Sequence, residues 1–208
     1  MNLTTIPVGT LGTNCYLIIS EKGSAALIDP GAGAEKIAGV LEEKSCTLRC
    51  ILLTHGHWDH IGGVRPLLEK YPSTQCHIGK GDKEMVTNEN RFADMLRGGR
   101  WEDYHIPEAQ ELADGDKIEL DELTLTVMET PGHSLGSVCF ICQDSIFAGD
   151  TVFLENVGRC DLYGGSFDTM KVSLKKLAAL PGDYTVYPGH GEFTTLQHER
   201  ENNPYFPR

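Results

Sequence analysis

Three histidines and an aspartate fall within the six residues His55-Gly56-His57-Trp58-Asp59-His60, after the apolar run Cys50-Ile51-Leu52-Leu53 and Thr54. Neutral imidazole and carboxylate are ligands for zinc, iron or manganese. Residues two apart in an extended chain point the same way, so His55 and His57 present their rings on one side of a strand end. Asp59 and His60 stand where the helical spacing of Ile61, Val64, Leu67 and Leu68 begins. The cluster thus aims four metal-capable groups at the space above the carboxyl end of a strand. The bland alternative is a solvated, histidine-rich loop. Further groups of matching type weigh against it: His133 after Thr130-Pro131-Gly132, Asp150 after Phe147-Ala148-Gly149, and His190 after Tyr187-Pro188-Gly189. Each follows a strand-like run and has a glycine immediately before it. Glycine lets the backbone turn sharply and pass close to a ligand. Singly, each reads equally well as a core or turn residue, but the threefold repetition does not.

The elements around these residues follow from period and punctuation. Strands are expected over residues 3–8, 14–20, 25–28, 48–53, 75–78 and 184–187. Hairpins are expected over 117–120 with 123–129, where Leu123, Leu125 and Val127 share a face, and over 137–142 with 145–148. Amphipathic helices are expected over 34–44, from Ile37, Val40 and Leu41, and over 61–70. A third spans 167–180, with Met170, Leu174, Leu177 and Ala178 inside, Lys171, Lys175 and Lys176 outside, and Pro181-Gly182 as its stop. A short helix closes the chain at 194–202. Residues 80–110 are polar, contain Gly98-Gly99, and carry Trp101, Tyr104 and His105. A connection this long is often a functional loop. It is expected either to cover the metal site as one substrate wall or to be a surface excursion. His77 and His105 lack ligand-like neighbours and read as surface or satisfied core histidines.

The 208 residues suit a single domain, 1–208. A net charge of −12 and a pI near 5.0 disfavour a nucleic-acid partner. Glycine, at 23 of 208 residues, exceeds the usual share of about 7 %, as expected of a fold with many tight turns. The first ten residues lack the basic head and apolar run of a signal peptide, and no segment has the ~18 apolar residues of a membrane helix. Seven cysteines, an odd number without framework spacing, read as reduced and mostly buried thiols in a cytoplasm. Cys139 and Cys142 form a C-x-x-C, but on a strand they face opposite ways, against a redox or metal pair.

The motif His55-x-His57-x-Asp59-His60, with His133, Asp150 and His190, resembles the metallo-β-lactamase superfamily. More closely it resembles the glyoxalase II (hydroxyacylglutathione hydrolase) branch. The resemblance runs through Asn14-Cys15-Tyr16-Leu17, Leu27-Ile28-Asp29-Pro30-Gly31, Thr130-Pro131-Gly132-His133-Ser134, Phe147-Ala148-Gly149-Asp150-Thr151 and Pro188-Gly189-His190-Gly191. It implies an α+β fold, an αββα four-layer sandwich, where periodicity alone supports only α/β or α+β. It assigns His55, His57 and His133 to one metal, Asp59, His60 and His190 to a second, and Asp150 to both. Two divalent ions are implied, zinc first, with iron and manganese also used in the family. The implied reaction is attack of a bridging hydroxide on the carbonyl of a small ester, thioester or lactone, with Asp59 also orienting the hydroxide. Asp29 is implied as a support near the site and not a ligand.

The same resemblance narrows the branch. Metallo-β-lactamases proper usually lack the counterpart of His60 as a ligand, carry cysteine where Asp150 stands, and are exported. Flavodiiron proteins carry glutamate at the position of His57. RNA-processing members are longer or bear a basic arm. Full glyoxalase II continues into a C-terminal helical domain with glutathione-binding groups, whereas this sequence ends soon after His190. The match is therefore to a compact bacterial type. Its stretch Val157-Gly158-Arg159-Cys160-Asp161-Leu162-Tyr163-Gly164-Gly165 supplies Arg159 and Tyr163 as substrate-binding candidates. Arg159 is expected either to clamp a substrate carboxylate or to hold the loop through Asp161. A persulfide dioxygenase, with one iron on His55, His133 and Asp150, and a lactonase are the alternatives.

Overall fold

The computed structural model describes residues 1–92 and 100–207. Six strands form the first sheet in sequence order: β1 (Asn2–Val8), β2 (Thr13–Ile19), β3 (Ser24–Ile28), β4 (Thr47–Leu53), β5 (Gln75–Gly79) and β6 (Gln110–Leu112). Strands β1 to β3 are antiparallel and β3 to β6 are parallel. The second sheet contains β7 (Lys117–Leu120), β8 (Leu123–Glu129), β9 (Val138–Cys142) and β10 (Ser145–Gly149) as an antiparallel meander. A small separate hairpin follows, β11 (Val152–Phe153) with β12 (Asn156–Val157). Then β13 (Thr185–Pro188) joins β10 in parallel and β14 (Thr194–Thr195) forms the edge.

Parallel pairs need long crossovers, and helices supply them. The helices are α1 (Ala34–Glu43), α2 (Trp58–Ile61), α3 (Val64–Lys70), α4 (Lys83–Thr87), α5 (Glu89–Phe92), α6 (Phe167–Ala178) and α7 (Leu196–Asn202). Alternation along each strand sends neighbours to different layers. In β2, Leu17 packs outward with Ile37 and Leu41 of α1 and Leu67 of α3, while Ile18 packs inward. The inner layer joins Ile18, Ile28 and Leu52 of the first sheet to Leu125, Phe140 and Phe147 of the second. Outside the second sheet, Ile146 and Ala148 meet Met170, Leu174 and Leu177 of α6 and Leu196 of α7. The order is helix, sheet, sheet, helix. Each fully buried Leu or Ile of these layers contributes about 1.5–3 kcal/mol. Cys139 lies in the outer cluster and Cys142 in the inner one, so they face opposite ways as expected.

Three expectations need correction. The helix over 61–70 is two pieces, because Gly62 and Gly63 lie against the backbone of residues 30–32. A Cβ on Gly62 would stand 2.5 Å from the Gly31 carbonyl oxygen. The helical turn before that break carries Asp59 and His60. The stretch 194–202 begins as strand β14, and only from Leu196 is it helical, with Thr195 Oγ1 accepting from the His198 amide. The connection 80–110 ends in strand β6, which pairs with β5. Within it, Gly98-Gly99 lies outside the described residues, while Trp101 and Tyr104 pack on the outer core of the first sheet. Among the described residues, no helix is long and apolar enough to cross a membrane.

Candidate metal centre

The seven candidate ligands stand beyond the carboxyl ends of β4, β8, β10 and β13, where the two sheets meet. A backbone bond from the Val138 amide to the Thr54 carbonyl (2.8 Å) ties the sheets together there. His55 and His57 follow β4 directly, and Asp59 and His60 occupy α2. Helix α6 seats the His133 loop: Ser173 Oγ donates to the Pro131 carbonyl at 2.6 Å, and Gly132 (φ 146°) lies so close that a Cβ would stand 2.5 Å from Met170 Cα. A Cβ on Gly189 would stand 2.3 Å from Asp150 Oδ1 and 2.7 Å from His60 Cε1. Glycine precedes these candidate ligands because the backbone itself walls the site.

Two donor sets result. In the first, His55, His57 and His133 bring one ligand atom each within 4.8 Å of the others. His133 Nε2 is 2.8 Å from His57 Nδ1, and the His133 Nδ1–H donates to the Arg159 carbonyl at 2.7 Å. In the second, Asp59, His60 and His190 meet the same limit. His190 Nε2 is 3.2 Å from Asp59 Oδ2 and 3.2 Å from His60 Nε2. Asp150 stands between the sets. Its Oδ2 is 3.5 Å from His133 Nε2, and its Oδ1 is 3.5 Å from His60 Nε2 and 3.7 Å from His190 Nε2.

The surroundings fix ring orientation. Asp29 is buried in a left-handed backbone conformation (φ 50°) at the end of β3. Its carboxylate accepts from the Thr54 amide (2.8 Å), the Thr54 hydroxyl (2.6 Å) and His60 Nδ1 (2.9 Å). His60 therefore turns Nε2 toward the other candidates, in the manner of carboxylate-oriented metal ligands. With its proton given to Asp29, the Thr54 hydroxyl accepts from His55 Nδ1 at 3.0 Å, which leaves His55 Nε2 as that ring's acceptor. A third donor set, Asp29 with His55 and His60, also meets the distance limit. Both Asp29 oxygens are already engaged, so support is the role they fit. His190 Nδ1 donates to the Leu11 carbonyl at 3.2 Å.

The electrostatics of the two sets differ. Burial, reinforced by the neighbouring imidazoles, holds His55 far below the usual histidine range and His57 down to about 3. His55 and His57 are therefore neutral imidazoles, and the Nε2 of each is buried without a hydrogen-bond partner among the described residues. Burial lowers His60 too, but Asp150 and Asp29 outweigh it and raise the ring to about 9. Burial raises Asp59, but His190 and His60 hold it down to about 2. His55 Nε2 and Asp150 Oδ1 are buried without a hydrogen-bond partner among the described residues. Converging imidazoles and carboxylates with orphaned acceptors fit a divalent cation.

Of the two substrate-binding candidates, Arg159 adjoins this cluster through its carbonyl, which accepts from His133. The Arg159 guanidinium is exposed and forks onto Asp161, Nε to Oδ1 at 2.7 Å and Nη2 to Oδ2 at 2.8 Å. Tyr163 is half-buried against the outer core of the first sheet. Two supporting residues escape sequence reasoning. Thr54 relays between Asp29 and His55, and Asp82 bonds to the loops on both sides of the first set. Asp82 carries one legible signal: Gly81 precedes it, as glycine precedes His133, Asp150 and His190.

Comparison with known proteins bears on the whole chain. The sequence profile of the metallo-beta-lactamase superfamily matches residues 8–190. Hydroxyacylglutathione hydrolase GloC of Haemophilus influenzae is 32 % identical over 209 residues, covering 99 % of this chain and 98 % of that protein. The probable metallo-hydrolase YqgX of Bacillus subtilis is 33 % identical over 210 residues, covering 99 % and 97 %. Among solved structures, BLEG-1 B3 metallo-beta-lactamase superposes with a TM-score of 0.88 at 30 % identity, covering all of both chains. TTHA1623 in a di-iron-bound form gives 0.81 at 33 %, covering 98 % and 100 %. The ETHE1 structure from Myxococcus xanthus gives 0.82 at 25 %, covering 98 % and 84 %. Profile, relatives and four-layer architecture agree: the chain belongs to the metallo-beta-lactamase superfamily of metal-dependent hydrolases.

Proposed function

We propose that this protein is a hydrolase of small thioesters or esters, similar to glyoxalase II, that works with two divalent ions. The observation that carries the proposal is Asp150, whose two oxygens face two separate three-residue donor sets. Zinc is the first expectation from imidazole and carboxylate, and the di-iron form of TTHA1623 keeps iron beside it. His55, His57 and His133 would hold one ion and Asp59, His60 and His190 the other, with Asp150 between. The ions would supply an acidified water as nucleophile at neutral pH and polarise the substrate carbonyl.

The chain's own residues supply the rest. Asp29 and Thr54 hold His60 and His55 in one ring orientation each. Asp59, kept ionised by His190 and His60, stays an acceptor at neutral pH and can orient the attacking water. Tyr104 packs over the turn that carries Asp59, its Cε1 being 3.3 Å from where a Cβ on Gly62 would stand. This favours the stretch around Tyr104 as one wall of the site. Arg159 is the proposed clamp for a substrate carboxylate. An exposed pair such as Arg159–Asp161 is worth little, so a substrate carboxylate can displace Asp161. Tyr163 is the second proposed contact. Seven cysteines, an odd number without framework spacing, support a reducing, cytoplasmic setting.

The test is elemental analysis of the purified protein beside turnover of S-lactoylglutathione, a simple aryl ester, a lactone and a β-lactam. The whole-length likeness to BLEG-1 puts the β-lactam on that panel. About two ions per chain with thioester or ester turnover are expected. One iron per chain with oxygen uptake on glutathione persulfide, and no hydrolysis, would replace the proposal with a dioxygenase.

A further inference from the structure

Asp82 ends the 3-10 turn Lys80–Asp82 after β5 and has no exposed surface. Burying an unpaired carboxylate is expensive, yet its partners carry no charge. Oδ2 accepts from the Gly56 amide at 3.0 Å and the Ser134 hydroxyl at 2.6 Å, and Oδ1 accepts from the Gly136 amide at 2.6 Å. Gly56 separates His55 from His57, and Ser134 immediately follows His133. The three donors thus sit on the two loops that carry the first donor set. None adjoins Asp59, His60 or His190.

The turn is wedged in place by its backbone. A Cβ on Gly79 would stand 2.1 Å from the Gly136 carbonyl oxygen, one on Gly81 2.6 Å from the Leu135 carbonyl oxygen, and one on Gly136 2.1 Å from the Asp82 nitrogen. The carboxylate therefore cannot shift without moving one loop relative to the other. We propose that Asp82 is a positioning residue that sets the spacing of His55 and His57 from His133, and so governs the first metal position and not the second. This rests on the ligand assignment proposed above.

The test compares wild type with Asp82→Asn by chelator competition for zinc, with cobalt absorption as a second readout and circular dichroism to follow the fold. Asparagine keeps the shape but turns an amide N–H₂ toward an N–H or O–H donor. Loss of an outer-shell partner commonly weakens metal affinity about 10–100-fold. That loss is expected for one ion only, with the cobalt spectrum altered. In a His57→Ala background, where the first position is already damaged, Asp82→Asn is expected to change the remaining affinity by less than about twofold. Should Asp82→Asn not fold, Ser134→Ala decides, and a smaller loss confined to the same ion is expected. Equal weakening of both ions, or unchanged affinities, would overturn the proposal. A wild-type protein that binds no divalent ion would instead overturn the ligand assignment itself.

Discussion

Gly189→Ala is the sharpest steric probe of the site. Gly189 has no left-handed backbone angle, so an alanine there meets no intrinsic strain. The difficulty is space: the new Cβ would stand 2.3 Å from Asp150 Oδ1 and 2.7 Å from His60 Cε1. A comfortable contact begins near about 3.4 Å, so the carboxylate must retreat by about 1 Å. A misplacement of about 1 Å costs about 10²-fold in rate, or about 2.7 kcal/mol of transition-state stabilisation. Overpacking itself costs about 1–3 kcal/mol of stability, and the backbone bonds from the Gly189 amide to Gly149 and from Asn14 to the Gly189 carbonyl do not involve the added methyl. The variant is therefore expected to fold, to lose metal on dialysis, and to turn over the best thioester about a hundredfold more slowly. Elemental analysis and initial rates read the two effects. Gly39→Ala is the control, since Gly39 lies in α1 with nothing within 4 Å of its added Cβ. It is expected to stabilise by about 0.5–1 kcal/mol with activity unchanged. Full metal content and a rate within twofold of wild type in Gly189→Ala would refute the reasoning.

Three further outcomes are expected. Asp29→Ala leaves the Thr54 amide, the Thr54 hydroxyl and His60 Nδ1 without their acceptor, at about 1–3 kcal/mol each. Urea unfolding of the chelated variant should show a loss of about 3 kcal/mol or more, and a loss under about 1 would contradict the supporting role. Arg159→Ala should leave stability unchanged and raise KM, with kcat held, for thioesters that carry a carboxylate. A fall in kcat at constant KM would remove Arg159 from substrate binding. Burial pushes the Cys50 thiol up to about 12 and Cys139 to about 11, and raises Cys15 and Cys76 as well. The unfolded chain gives up these protons first, from about pH 8.5, so it binds fewer protons than the folded state and stability falls as pH rises. At pH 10 each such thiol costs about 2 kcal/mol. Equal urea stability at pH 8 and pH 10 would contradict this.

The candidate ligands were legible because three of them repeat one local pattern of strand, glycine and metal-capable residue, and the other four share a single turn. The glycines could be assigned a role from sequence, but not their partners. That Gly132 lies on α6 and Gly189 on Asp150 is a matter of tertiary approach. The four layers were not legible from periodicity, because β2 and β3 are buried on both faces and show no alternation of apolar with polar. Strand β6 was missed because only Leu112 of its three residues is buried, too little for a pattern. The break at Gly62-Gly63 was hidden under a helical spacing of Ile61, Val64, Leu67 and Leu68 that survives the interruption. The role of Asp82 is not legible in the sequence because its partners are backbone amides and a hydroxyl up to 54 residues away, and no spacing rule encodes them. Arg159 shows the reverse: its guanidinium is the feature legible in the sequence, while its main-chain carbonyl is what holds His133.

Anomalous diffraction from crystals of the protein grown with zinc, recorded on both sides of the zinc edge, tests the dinuclear assignment most directly. Two peaks per chain are expected, one among His55, His57 and His133 and one among Asp59, His60 and His190, each touching one oxygen of Asp150. No peak, a single peak per chain, or peaks outside both donor sets would contradict it.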